Sequence, residues 1–144
     1  MGPMDVDLDR FVDAQGSAFE VAVDELRRGR KVGHWIWFVF PQLAGLGRSA
    51  TSRRYAITSL AEARAYLAHP LLGARLRQCA EVLLAAPPGH SATDIFGELD
   101  AMKVRSSMTL FHRAAPEEPV FRHVLDRFYG GRLDTRTDEL LSWA

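Results

Sequence analysis

Three stretches of this chain carry residue types whose spacing suits chemistry. The first is Gly33-His34-Trp35-Ile36-Trp37-Phe38-Val39-Phe40-Pro41-Gln42, with four of the eleven Trp and Phe residues between a histidine and a glutamine. An imidazole titrates near neutral pH, so His34 is a candidate general base or hydrogen-bond partner. Trp35 and Trp37 offer faces on which a planar group could stack, and the Gln42 amide could read its edge. The second stretch runs from Gly45 to Tyr55. Gly45 and Gly47 free the backbone there, while Arg48, Ser49, Ser52, Arg53 and Arg54 supply donors. A Ser or Thr at a helix N-terminus beside arginines suits a phosphate or carboxylate, because exposed amides and the helix dipole favour an anion. The third is Asp100-Ala101-Met102-Lys103-Val104-Arg105-Ser106-Ser107. On a helix Asp100, Lys103 and Ser107 share one face. Lys103 is one of only two lysines in a chain that otherwise uses arginine. An ammonium, unlike a guanidinium, can lose its proton when buried, so a Lys-Ser pair oriented by Asp100 could move a proton or activate the hydroxyl.

The resulting candidate set is His34, Lys103 and Ser107 for catalysis. Ligand binding falls to Trp35, Trp37, Gln42, Arg48, Ser49, Ser52, Arg53, Tyr55, Asp100 and Ser106. Each cluster also has a purely structural reading. The aromatic rings can be core, as most Trp and Phe residues are, with His34 capping a helix. The arginines of the loop can be solvated, and Asp100 and Lys103 can form an intrahelical pair with the serines bonding back to the helix.

Other chemistries are not indicated. The five histidines show no metal-ligand spacing, and no Gly-x-Ser-x-Gly elbow, phosphate-binding loop or dinucleotide fingerprint is present. No metal or cofactor is therefore expected. Cys79 lies on an apolar helical stripe and reads as a core thiol. The chain has 144 residues, 47% hydrophobic and 25% charged, with 18 cationic and 18 anionic side chains. That length supports one domain with a real core. A zero net charge argues against general nucleic-acid or anionic-membrane binding, which needs excess cation to displace counterions. No apolar run reaches the roughly 18–20 residues of a membrane span, and the acidic N-terminus has no signal-peptide apolar region. A cytoplasmic location is the expectation.

The elements that must position these residues read as helices. Phe11, Val12 and Ala14 suggest a first short helix, and Ser17 can cap a second that ends at Arg27-Arg28-Gly29. The aromatic stretch Trp35 to Phe40 reads as a short buried helix ended by Pro41, with a strand as the alternative. Ser59-Leu60-Ala61-Glu62 fits a capping box for a helix to Ala68. Pro70 suits the first turn of a long helix to about Ala86. Ser91 or Thr93 opens a short piece ending at Phe96-Gly97. Longer helices follow over Leu99 to Arg113 and Val120 to Tyr129, and Thr137 can cap a last turn with Leu140, Leu141 and Trp143. Asp134 and Asp138 suit that cap better than an acid–base couple. The fold class is all-α, a compact single-domain bundle of about six to eight helices over residues 5–144, with residues 1–4 an irregular start.

The stretch Arg30 to Gly47 resembles the signature of the DUF1810 family of small bacterial and fungal proteins. Three further segments agree: Ser52-Arg53-Arg54-Tyr55-Ala56-Ile57, Ala65 to Leu76, and Asp94-Ile95-Phe96-Gly97 through Lys103 to Phe111. The similarity spans roughly residues 7 to 141. It implies a single helical domain and transfers no reaction.

Two functions from different classes follow. In one, the three clusters converge on a pocket for a small anion such as a nucleotide or phosphorylated metabolite, with Arg48, Ser52 and Arg53 holding it. In the other, the aromatic patch docks a protein partner or a second copy as a homodimer.

Overall fold

The computed structural model describes residues 7–142, and within them the chain is all-α. The expectations for residues 1–4 and for Trp143 lie outside the described residues. Ten helices occur in this span: α1 (Asp9–Gln15), α2 (Ala18–Arg28), α3 (Ile36–Val39), α4 (Ala50–Arg54), α5 (Leu60–Ala68), α6 (Leu72–Leu84), α7 (Ala92–Phe96), α8 (Glu98–Ala114), α9 (Pro119–Tyr129) and α10 (Thr135–Ser142). The count exceeds the expected six to eight because short segments such as α4 coil into single turns of their own.

The aromatic stretch is helical, which removes the strand alternative. Phe40 leaves helical geometry at φ −124°, ψ 73°, because the ring of the following Pro41 crowds that conformation. The one strand-like contact among the described residues is a parallel bridge between Leu43 and Ile57. There the Ile57 amide donates to Gln42 and the Ala44 amide donates to Ile57. This bridge clips the glycine loop to the segment after α4.

Several caps differ from expectation in instructive ways. Ser17 has helical angles and makes no side-chain cap bond, since α2 follows α1 with only a two-residue turn. Ser59 does accept from the Glu62 amide, but the Glu62 carboxylate accepts from the Thr58 amide rather than returning to Ser59. Pro70 lies before α6, not in it. The start of α6 is capped instead by His69, whose Nδ1 accepts from the Leu71 and Leu72 amides at 3.1 and 3.2 Å. The last helix is capped by Asp134, not Thr137. Asp134 Oδ2 accepts from the Thr137 amide at 3.0 Å and from its hydroxyl at 2.5 Å. Among the described residues, Ser91–Asp94 alone forms the full reciprocal box.

Helix α8 is the axis of the domain and packs against α5, α7, α9 and α10. Val104, Met108, Leu110 and Phe111 are fully buried on it. A run of aromatic contacts crosses the core from Tyr55 through Phe11, Tyr66 and Phe111 to Phe121, with ring centroids 5.1 to 6.0 Å apart. Separations and tilts of this kind are the favourable ones for aromatic rings. Helix α3 is wedged against α1, α6 and α8, which brings the aromatic stretch up against the start of α8. Arg10 fixes the neighbouring loop. Its guanidinium donates to the carbonyls of Arg54 and Ala56 at 2.8 Å and pairs with buried Glu62. A fork of five donors suits such a junction, where several carbonyls must be satisfied at once.

Candidate functional site

The charged centre of the molecule is a triad at the start of α8. Lys31 Nζ lies 2.7 Å from Asp100 Oδ2, and Lys103 Nζ lies 3.2 Å from Asp100 Oδ1. Both lysines of the chain therefore converge on one carboxylate. Lys31 also donates to the Gly33 carbonyl at 2.5 Å. Each ammonium faces a tryptophan, Lys31 at 5.3 Å from the Trp35 ring and Lys103 at 5.0 Å from the Trp37 ring. These distances are within cation–π range. Burial pushes the Asp100 carboxyl up, but the hydrogen bonds and charges of Lys31 and Lys103 outweigh it and hold the group below its ordinary range.

The segment carrying Lys31 is itself tied down by Glu25 on α2. Glu25 Oε1 accepts from the amides of Val32 and Gly33 and from Trp35 Nε1, at 2.7 to 2.9 Å. Burial raises the Glu25 carboxyl, yet the amides of Gly33 and Val32, the Trp35 indole and Lys31 together bring it below the usual value. A carboxylate accepting three N–H groups is a strong, directional staple.

Beside the triad is a cleft of about 300 Å³ between the glycine loop, α8 and the start of α10. Gln42, Leu46, Gly47 and Ser52 form one wall, Leu99, Met102, Lys103 and Ser106 the second, and Asp134 and Arg136 the end. Local structure explains each wall. Gly47 is required where it stands, because a Cβ there would lie 2.4 Å from the Ser52 Cβ. Gly45 has φ +100° and packs against Leu140 of α10. The Asp134 segment is held by Arg105, which donates to the carbonyls of Arg132 and Leu133, and by Thr109, which accepts from the Asp134 amide at 2.8 Å. Ser106 is committed to this frame, with Met102 O at 3.1 Å and Asp134 Oδ2 at 3.2 Å. The Gln42 amide makes no side-chain hydrogen bond among the described residues, and Lys103 uses one of its three N–H groups on Asp100.

Of the residues singled out in the sequence, Gln42, Ser52, Lys103 and Ser106 share this cleft. Asp100 holds Lys103, and half-buried Trp37 backs it. The others are placed elsewhere. Trp35 is 2% exposed and belongs to the core, so it offers no open stacking face. His34 is exposed and lines no part of the cleft. Arg48 and Arg53 are exposed outside it, and Ser49 caps α4 by accepting from the Ser52 amide. Tyr55 packs on Phe11 and Phe38. Ser107 is fully buried, and its Oγ has no hydrogen-bond partner among the described residues. The expected Lys103–Ser107 couple is therefore not formed, because Lys103 points to Asp100 and Ser107 to the core.

Sequence reading did not place Lys31, Leu46, Leu99, Met102 or Arg136 at a site, and it assigned Asp134 only to the cap of the last helix. A rarity signal was available for Lys31, the second lysine. Leu99 and Met102 break the apolar stripe of α8 and stand on its polar side, which is a readable anomaly. No signal in the sequence joins Arg136 to Lys103. Among the described residues no group of three or more His, Cys, Asp or Glu side chains could hold a metal ion. No helix there is long and apolar enough to cross a membrane.

Comparison with known proteins agrees with the helical architecture. Residues 5–141 match the profile of a family described as a protein of unknown function, DUF1810. The chain belongs to the DUF1810 family. A similar solved structure is that of the conserved hypothetical protein Rv1873 from Mycobacterium tuberculosis, determined at 1.38 Å. It shares 51% identity over 94% of this chain and 96% of its own, with a TM-score of 0.92. No curated protein matches the DUF1810 chain. Three of the four family-like segments meet in the triad and the cleft: Lys31 and Gln42 lie in the first, Ser52 in the second, Asp100 and Lys103 in the last.

Proposed function

We propose that the cleft between the glycine loop and α8 binds a small anionic molecule, with Lys103 as the anchor. The observation that carries this reading is the placing of Lys103 in the lining of a concave site with only one N–H spent on Asp100. Lys31 is balanced by Asp100 and by the neighbouring Glu25 carboxylate, so Lys103 is the ammonium that faces the cleft. Arg136 adds a second cation at the end of the cleft, engaged among the described residues by Glu139 alone, at 3.7 Å across exposed surface. Gln42 and Ser52 supply neutral donors. A concave site with a few convergent polar groups is the usual form of a ligand pocket. The phosphorylated or nucleotide ligands suggested by the sequence fall in this class. The anchor has moved, however, from Arg48 and Arg53 to Lys103 and Arg136. Proton transfer in the site would fall to Lys103, since His34 and Ser107 do not reach it.

Thermal unfolding of the full chain with acetate, inorganic phosphate and AMP tests the reading, since a ligand of the folded state raises the transition temperature. Lys103→Met is the control, because it removes the ammonium that lines the cleft and leaves the Lys31–Asp100 pair intact. A rise with at least one anion, lost in Lys103→Met and reduced in Arg136→Gln, is expected. No rise with any anion overturns it.

The docking reading has less support at its original place, because Trp35 and Phe40 are core and only Trp37 and Phe38 of the four rings are half-buried. Its remaining support is the apolar rim of Leu99 and Met102, and sedimentation of wild type against Met102→Asp measures whether that rim joins two copies.

A further inference from the structure

We infer that the ligand of this cleft is a monocarboxylate with a short apolar arm, not a phosphate ester. The inference rests on the anion-site reading above and narrows its ligand class.

Charge is the first consideration. The Lys103 ammonium and the Arg136 guanidinium share the cleft with the Asp134 carboxylate. Asp134 cannot turn away, since its Oδ2 already holds Thr137 and Ser106. A single negative charge near Lys103 is favoured there, whereas a dianion meets repulsion from Asp134 at close quarters.

The donor set points the same way. Phosphate sites are commonly built from several free backbone amides at a helix N-terminus or in a nest. The short α4 beside this cleft does not offer such a set, because Ser49 Oγ already takes the Ser52 amide. What faces the cleft is one ammonium N–H pair, the Arg136 guanidinium at its end, one carboxamide and one hydroxyl. The two acceptor oxygens of a carboxylate match N–H donors from Lys103 and Gln42.

The rest of the lining is apolar. Leu46 faces the cleft, and Leu99 and Met102 stand at its mouth, 75% and 66% exposed. They are two of the few large apolar side chains left open on the described surface. A flexible methionine at such a rim adapts to an apolar arm, and covering these atoms removes them from water. Size sets the limit. A cleft of about 300 Å³ is at the small end of ligand sites and holds about ten water-sized volumes. That suits a chain of several carbons or one ring with its carboxylate, and is tight for a base, ribose and phosphate together.

Calorimetric titration of the full chain at constant ionic strength decides it, with hexanoate, phenylacetate, acetate, inorganic phosphate and AMP as probes. Hexanoate or phenylacetate should bind about tenfold or more tighter than acetate, as several buried methylene groups require, and tighter than phosphate or AMP. Met102→Gln, a neutral change of similar size at a position 66% exposed, should bring hexanoate down to the acetate level and leave acetate nearly unchanged. Lys103→Met should abolish all binding. If Lys103→Met does not fold, Arg136→Gln and Gln42→Ala replace it and should each weaken the carboxylates. Phosphate or AMP binding as tightly as hexanoate overturns the carboxylate assignment while leaving the anion site standing. An unchanged hexanoate affinity in Met102→Gln overturns the apolar arm. Failure of every anion to bind removes both readings.

Discussion

Lys31 reaches across from the segment after α2 to place its ammonium 2.7 Å from the carboxylate of Asp100 on α8, with only 7% of the lysine side chain exposed. This one contact joins the aromatic stretch to the helix that carries the rest of the site. A lysine so nearly enclosed needs its counter-ion, so Asp100 is as much a structural residue as a functional one.

Asp100→Asn should therefore destabilise the fold more than an ordinary surface change. It leaves two ammonium groups facing a neutral amide, one of them almost buried. Removing one partner of a fully buried pair costs about 3–5 kcal/mol. Asp100 is partly wetted, so a loss of about 2 kcal/mol is expected, read as a lowered urea midpoint at unchanged slope. Lys103→Met, which keeps the Lys31–Asp100 pair, should cost under about 1 kcal/mol.

The acid limb of stability should trace to the same region. Glu25 and Asp100 are both held below their ordinary carboxylate values in the folded chain. A depressed carboxyl contributes stability that is present above its unfolded value of about 4 and is lost as pH falls through the folded value. Glu25→Gln should lower stability at neutral pH and flatten its decline below about pH 4. A decline as steep as wild type in urea titrations across pH 2–5 would exclude Glu25 as a source.

Gly47→Ala tests whether the loop wall is built by close approach. The added Cβ would sit 2.4 Å from the Ser52 Cβ and 2.5 Å from its hydroxyl, so Ser52 or the loop must move. Overpacking of this kind costs about 1–3 kcal/mol. Because the loop is at the surface, the low end is expected, together with a clear weakening of carboxylate binding. Calorimetry and thermal unfolding on the same sample separate the two effects.

Asp134→Ala removes the cap of α10 and the partner of Ser106. Loss of an N-cap oxygen costs about 0.5–2 kcal/mol, and hydrogen exchange in the Thr137–Leu141 amides should rise first, as that turn frays. The repulsive carboxylate disappears as well, so the affinity for phosphate should increase relative to hexanoate.

His34→Ala should do almost nothing. The side chain is exposed and outside the cleft, and such substitutions shift stability by about 0.5 kcal/mol or less. Anion affinity within error of wild type is the expected calorimetric result. A large loss would restore His34 to the site.

The helical class, the single domain and most helix positions were legible from the sequence, because they depend on local signals. Gly29 ends α2 in the left-handed conformation that glycine favours, Pro41 forbids continuation of α3, and the spacing of Leu72, Leu76, Cys79 and Leu83 sets one buried face of α6. Local chemistry likewise marked Gln42, Ser52, Lys103 and Ser106, since loop glycines, hydroxyls and a rare lysine stand out by type. What the sequence could not reveal is which side of an element each residue takes once the elements pack. Trp35 and Trp37 are two positions apart in a stretch of single-turn helix, so one ring is driven into the core while the other lies under Lys103. Lys103 and Ser107 share a helical face by spacing, yet Asp100 draws the ammonium outward and the core encloses the hydroxyl. The pairing of Lys31 with Asp100, and the meeting of Arg136 with Lys103 across one cleft, join residues 33 or more apart in sequence. Such contacts are set by how α3, α8 and α10 pack around a shared core, and no local propensity encodes them.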